Sequence, residues 1–204
     1  MNKSFLVKLY LSFIGRYFSY LLRVIGSINT PFMIYGYYNS IRNIFFYKTR
    51  ISNTVKILNK KYADIEDGVW IWHHSIIDAT AGIKIHEGVQ IGAWVGLFTH
   101  SSHNAIRLNG SLYFEQIVSE RIGYVAEPIE IGAYTFIGAS SIILPGVNLG
   151  KGCIVSAGSV VNKSFPDFSI ISGNPAVLVG DTSKIDKFYL KNSSTKGSYY
   201  LNRV

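Results

Sequence analysis

Residues 129–161 read IEIGAYTFIGASSIILPGVNLGKGCIVSAGSVV. Every sixth residue from Ile131 is aliphatic: Ile131, Ile137, Ile143, Leu149, Val155 and Val161. Two places before each of the last five stands a small or β-branched residue: Thr135, Ser141, Val147, Cys153 and Ser159. Glycine often follows the aliphatic, at Gly132, Gly138 and Gly150. Upstream, Ile65, Ile71, Ile77, Ile83, Val89 and Val95 keep the same spacing, and Ile85, Ile91 and Leu97 form a parallel series. A period of six matches neither the 3.6 of a helix nor the 2.0 of a lone strand. It matches a coil of three short flat faces, each with one aliphatic inward, a small residue near the corner and a turn residue after it. Stacked coils pair as parallel strands about 4.8 Å apart. One coil cannot enclose a core, so several are required; residues 65–161 supply about five.

The rest of the composition agrees with a packed domain. The chain has 204 residues, of which 48% are hydrophobic and 16% charged, which excludes wholesale disorder. One cysteine, Cys153, excludes a disulfide scaffold and a cysteine-based zinc cluster. The formal charge of +8 is unevenly placed. Residues 1–61 carry ten Lys/Arg and no acid, whereas residues 62–204 carry ten basic residues against twelve acids. A basic, aromatic leader on a near-neutral domain points to a membrane surface rather than to nucleic acid.

That leader does not read as a signal peptide, because Arg16 interrupts the apolar run and no small-residue cleavage site follows. Its longest uncharged stretch, Val24–Ile41, holds Asn29, Pro31, Gly36 and Asn39 and makes a poor membrane span. Lys8, Ser12, Arg16, Ser19 and Arg23 fall on one helical stripe, with apolar residues between them. The spacing predicts an amphipathic helix, and a second helix from Pro31 to near Tyr47. The oily face meets either a lipid interface or protein; the pattern leaves both open. The expected organisation is a helical segment over residues 1–61, a repeat domain over 62–180 with an insertion at 98–128, and a short helix with a tail over 181–204.

The chain resembles the hexapeptide-repeat acyltransferases. The resemblance covers about residues 65–180. It is strongest where Ile131-Gly132, Ile137-Gly138, Pro145-Gly146-Val147, Val160-Val161-Asn162-Lys163 and Gly173-Asn174-Pro175-Ala176 stand in the family's order. It implies a mainly β chain folded as a left-handed parallel β-helix. Within the family the chain looks most like the sugar O-acetyltransferases of the maltose, galactoside and polysaccharide type, which are homotrimers using acetyl-CoA.

The period breaks at Phe98-Thr99-His100-Ser101-Ser102-His103-Asn104 and resumes at Ile129. Long interruptions of a regular fold usually carry function. Acetyl transfer to a hydroxyl needs a base, and neutral imidazole suits the task. The resemblance implies a histidine here as that base: His103 is expected, with His100 as the alternative, since the family's Thr-x-x-His spacing is one residue longer in this chain. Glu115, Glu120 and Glu127 are candidate carboxylates to orient the ring. His74, Asp78 and Arg107 are expected to contact the acceptor, and His73 stands beside them.

For the donor, the resemblance implies that acetyl-CoA lies between neighbouring β-helices. Gly138, Ala139 and Ala157 would permit close approach of the pantetheine arm, although small residues also suit β-helix corners. Asn162 and Lys163 would meet a CoA phosphate, and Asn174 and Pro175 form the turn near the adenine. Val177 replaces the basic residue usual after that turn. The expected function is an O-acetyltransferase acting on a sugar or lipid-linked glycan in cell-surface polysaccharide or lipopolysaccharide biosynthesis. No metal and no nucleic acid are expected. The protein is expected in the cytoplasm, peripheral on the inner face of the membrane through residues 1–47. The alternatives are a metal-dependent enzyme resembling the gamma carbonic anhydrases and a non-catalytic β-helix scaffold.

Overall fold

The computed structural model describes residues 12–28, 30–191 and 199–203. The chain divides into two compact units, residues 1–32 and 33–204. The first contains helix α1, Phe13–Ile28. At 100° per residue, Phe13, Ile14, Tyr17, Phe18, Tyr20, Leu21 and Val24 share one side of this helix, and all seven are exposed. Residues 1–11, the start of the expected amphipathic helix, lie outside the described residues. Among the described residues, no helix is long and apolar enough to cross a membrane.

The second expected helix is not formed. Its residues build a β-hairpin instead, strands β1 (Met33–Asn39) and β2 (Ile44–Ser52), paired antiparallel. The segment is rich in Tyr, Phe and Ile, which fit a pleated surface better than a helix. Gly36 at φ 87° adopts a conformation that a helix cannot contain. Arg42 at the hairpin end holds Asp64 at 2.8 Å and Glu66 at 2.6 Å. Residues 33–61 therefore belong to the β domain, which begins before residue 62.

The β domain is a three-sided parallel β-helix. Face A stacks β2, β5 (Trp70–Ile71), β8 (Gln90–Ile91), β13 (Phe136–Ile137), β16 (Ile154–Val155) and β18 (Ser169–Gly173). Face B stacks β3 (Lys56–Leu58), β6 (Ile76–Asp78), β9 (Gly96–Phe98), β14 (Ile142–Ile143) and β17 (Val160–Val161). Face C stacks β4 (Ala63–Ile65), β7 (Ile83–Ile85), β12 (Ile129–Ile131) and β15 (Asn148–Leu149). The register places like on like. Ile51, Ile71, Ile91, Ile137, Val155 and Ile171 form one inward column. Ile77, Leu97, Ile143 and Val161 form a second, and Ile65, Ile85, Ile131 and Leu149 a third. The six-residue period predicted these columns, and their members above residue 60 are buried.

The outward rows differ in chemistry. Face C exposes Asp64, Lys84 and Glu130 in register, a charged ladder suited to water. Face B carries Ile76, Gly96, Ile142 and Val160. Face A carries Trp70, Gln90, Phe136, Ile154 and Ile170. Strand β19 (Ala176–Asp181) closes face A antiparallel. Helix α3 (Thr182–Leu190) follows, its first turn capped by the Asp181 carboxylate, which accepts from the Ser183 N–H at 2.8 Å. Residues 192–198 of the expected tail lie outside the described residues.

The insertion leaves the helix between faces B and C and is folded. Strands β10 (His100–Ser101) and β11 (Val125–Ala126) pair antiparallel at its neck. Helix α2 (Ala105–Asn109) and two single turns fill it. The Asn109 side chain staples it, donating to the Ala105 and Ile122 carbonyls and accepting from the Ile122 N–H.

Candidate active site

Asp78 ends β6 directly beneath Phe98 of β9. Its side chain is 1% exposed. Oδ2 accepts from the Thr99 N–H and hydroxyl, both at 3.1 Å, and lies 2.7 Å from His100 Nδ1. Oδ1 accepts from the Thr80 N–H at 3.1 Å and the Thr80 hydroxyl at 2.5 Å. Burial alone would raise this carboxyl; hydrogen bonds from Thr80 and His100 outweigh it and hold it below the usual carboxylate range. Asp78 is therefore an ionised acceptor at neutral pH, which sets the proton of His100 on Nδ1. Nε2 then carries the free lone pair. It has no hydrogen-bond partner among the described residues, and the side chain is 37% exposed. The Tyr124 ring stacks on the imidazole at 6.0 Å and 20°. Burial and the neighbouring Tyr113 and Asp78 raise the Tyr124 hydroxyl, so it stays protonated.

His103, the expected base, has no carboxylate partner among the described residues. Its Nδ1 pairs with the Ser101 hydroxyl at 2.8 Å, and its carbonyl accepts from Arg107. Arg107 also donates to Asn104 at 2.8 Å, so it is tied to its own helix turn instead of pointing at an acceptor. Glu115, Glu120 and Glu127 make no hydrogen bond to a histidine among the described residues. The carboxylate that orients the ring is Asp78, expected as an acceptor contact. The repeat contained the signal for it: Ile77 and Leu97 are equivalent residues of consecutive coils, so Asp78 must lie one coil beneath Phe98, beside Thr99-His100.

The other expected residues separate onto two edges of face B. At the B-to-C edge stand Asp78 and His100 and, higher in the stack, Asn162 and Lys163; the Lys163 ammonium lies 5.7 Å from the Phe165 ring. At the A-to-B edge stand His74, Gly138, Ala139 and Ala157. His74 stacks on Trp94 at 6.0 Å and 13°, remote from Asp78 along the coil. Asn174 and Pro175 form the β18–β19 turn, joined to the same edge by Gly173 N–H to Ser159 Oγ at 3.2 Å. A Cβ on Gly138 would lie 2.4 Å from the Ala157 nitrogen, so contact between coils already demands glycine there. Among the described residues, no three His, Cys, Asp or Glu side chains converge as a metal site.

Residues 128–163 match the hexapeptide repeat of succinyl-transferase. A Saccharomyces cerevisiae protein named as an acetyltransferase is 32% identical over 124 residues, 60% of this chain and 57% of its own. A Bacillus subtilis relative, YvoF, also named as an acetyltransferase, is 44% identical over 69 residues, 33% of this chain and 38% of its own. The chain thus covers less than two thirds of these relatives. Among solved structures, the maltose O-acetyltransferase of Clostridium difficile superposes with a TM-score of 0.53 at 22% identity, covering 63% of this chain and 64% of that one. A variant of AntD, an N-acyltransferase from Bacillus cereus, in complex with dTDP and coenzyme A superposes with a TM-score of 0.54 at 22% identity, covering 71% of this chain and 89% of that one. These likenesses establish the fold. Residues 128–163 carry a hexapeptide repeat, and the coils share the left-handed parallel β-helix fold of these structures.

Proposed function

We propose that this protein is an O-acetyltransferase that moves an acetyl group from acetyl-CoA to a sugar hydroxyl. The observation that carries the reading is the His100–Asp78 pair at the break of the repeat: a partly exposed imidazole aligned by a buried carboxylate. His100, rather than His103, is the base. Its Nε2 takes the proton of the acceptor hydroxyl as the oxygen attacks the thioester carbonyl. The resulting oxyanion is stabilised by a backbone N–H. The carbon–sulfur bond breaks, and the imidazolium returns its proton to the departing CoA thiolate. Asp78 holds the tautomer and stabilises the imidazolium. The relatives named as acetyltransferases, and the sugar- and CoA-related neighbours, support the donor and acceptor classes.

The working unit in this reading is a homotrimer. Expected donor residues Ala139, Ala157, Asn174 and Pro175 lie at one edge of face B, and the base at the other. A second copy brings the two edges together, and the apolar outward row of face B suits such packing. Asn162 and Lys163 then reach the CoA phosphates.

The acceptor is a sugar or lipid-linked glycan of a polysaccharide or lipopolysaccharide pathway, met at the inner face of the cell membrane. The exposed apolar side of α1 and the acid-free basic leader support that placement. Mass spectrometry of cell-envelope glycans with and without the gene tests the reading: loss of one acetyl group per repeat is expected, and unchanged acetylation refutes it.

A further inference from the structure

We propose that the cavity at the A-to-B corner holds the acyl chain of the donor, and that Trp72 sets its length. The donor class is then short-chain acyl-CoA thioesters, with acetyl as the shortest member. This rests on the acyl-transfer reading above.

The corner has a regular plan. Its first position is Gly92, Gly138 and Ser156 in three successive coils, and its second is Ala93, Ala139 and Ala157. In the coil below, the same two positions are Trp72 and His73. A strip of small residues therefore crosses three coils and ends against an indole. At that end lies a cavity of about 320 Å³ lined by Trp70, Trp72, Ile91, Ala93, Phe136 and Ala139, with one polar side chain, Gln90. It is continuous with the strip at Ala139, where the pantetheine arm is placed.

The wall is held in position. Trp72 stacks on Trp70 at 6.0 Å and 26°, and the His73 ring meets its edge at 5.8 Å. His73 is itself fixed by the Ser52 hydroxyl at 2.7 Å. The height in the stack is also apt. Trp72 shares a coil with Asp78, and Ala93 shares the next with His100, so the cavity lies level with the base on the opposite edge of face B. A neighbouring copy would set the thioester between them.

The lining decides the chemical class. A sugar here would meet one hydrogen-bonding amide, Gln90, and otherwise indole, phenyl and methyl groups, losing most of its hydrogen bonds to water without replacement. A hydrocarbon chain loses none and covers apolar surface on Trp72 and Phe136, which are 47% and 45% exposed. The space also far exceeds what one methyl group fills.

Calorimetric titration of the full chain with CoA, acetyl-CoA, butyryl-CoA, hexanoyl-CoA and octanoyl-CoA tests this. Affinity is expected to rise about fourfold per added methylene from acetyl-CoA to butyryl-CoA, and to stop rising before octanoyl-CoA. Trp72→Ala moves that stop to longer chains. Ala93→Leu, which fills the cavity from a different coil, brings the ratio of butyryl to acetyl affinity towards one. Thermal melts confirm that both variants fold. Equal affinity for CoA and every thioester, the pattern expected if a second copy covers the cavity, overturns the proposal; so does an unmoved chain-length stop in Trp72→Ala. Failure of CoA in every form to bind overturns the acyl-transfer reading itself and the proposal with it.

Discussion

His100 Nδ1 lies 2.7 Å from Oδ2 of Asp78, a residue 22 positions earlier that belongs to the coil beneath. This contact commits one ring nitrogen and leaves the other, Nε2, for the proton-accepting role proposed for it. His100→Ala is expected to lower turnover by about 10²–10⁴-fold, the usual worth of a general base. His103→Ala, which removes a pairing with Ser101, leaves turnover near wild type. Release of the CoA thiol in the presence of a sugar acceptor reads both. Equal losses in the two variants would contradict the assignment.

Asp78→Asn keeps the size of the side chain and loses the acceptor charge. Where the amide nitrogen faces His100, the ring must donate from Nε2 and cannot serve as base. The expected effect is a fall in kcat of about 10²–10⁴-fold with little change in KM for acetyl-CoA. A matched rise in KM with unchanged kcat would show that Asp78 serves binding instead.

Asp78 also links stability to pH. Its folded-state pKa is depressed, so its contribution is fully present above the unfolded value of about 4. It is lost as pH falls through the lower folded value. Urea midpoints measured between about pH 6 and pH 2 should therefore decline below about pH 4. The decline should be shallower in Asp78→Asn, and identical slopes would remove Asp78 as a source.

Ile137 lies in register between Ile91 and Val155 and is fully buried. Ile137→Ala should cost about 2–5 kcal/mol by chemical denaturation, because the column cannot close over the lost methylenes. Lys84, on the solvated face with Glu130 at 3.6 Å, is a surface pair. Lys84→Ala should cost no more than about 1 kcal/mol. A reversal of that order would contradict the inward and outward assignment.

The exposed side of α1 predicts binding to vesicles containing anionic lipid. Leu21→Glu places a charge in the middle of that side and should weaken partitioning by tenfold or more, since a buried leucine contributes about 1.5–3 kcal/mol. Co-sedimentation of the full chain measures it. Equal sedimentation of wild type and Leu21→Glu would remove α1 as the lipid contact.

The β-helix core was legible from Ile65 onward, because each inward aliphatic repeats a local environment and needs no distant information. The hairpin was not. Tyr35, Tyr37, Phe45 and Phe46 sit in an aromatic stretch whose period is ambiguous; in the fold they pair within the hairpin, which joins the β-helix where Arg50 and Ile51 meet β5. The wall of Trp70, Trp72 and Phe136 was equally hidden, since Phe136 comes from a coil beyond the insertion, far along the chain from the two indoles.

The amino-acid sequence by itself determined the solenoid, its three inward columns and the place where the regular coil is interrupted, because a six-residue spacing is a local property that stacking only repeats. Only the tertiary structure showed which imidazole at the neck of the insertion turns to Asp78: His100 meets that carboxylate, and His103 meets Ser101. That outcome depends on the direction each ring takes where the chain leaves the regular coil. That is a matter of how the insertion turns at its neck, where His100–Ser101 pair with Val125–Ala126, and neighbours along the chain do not encode it.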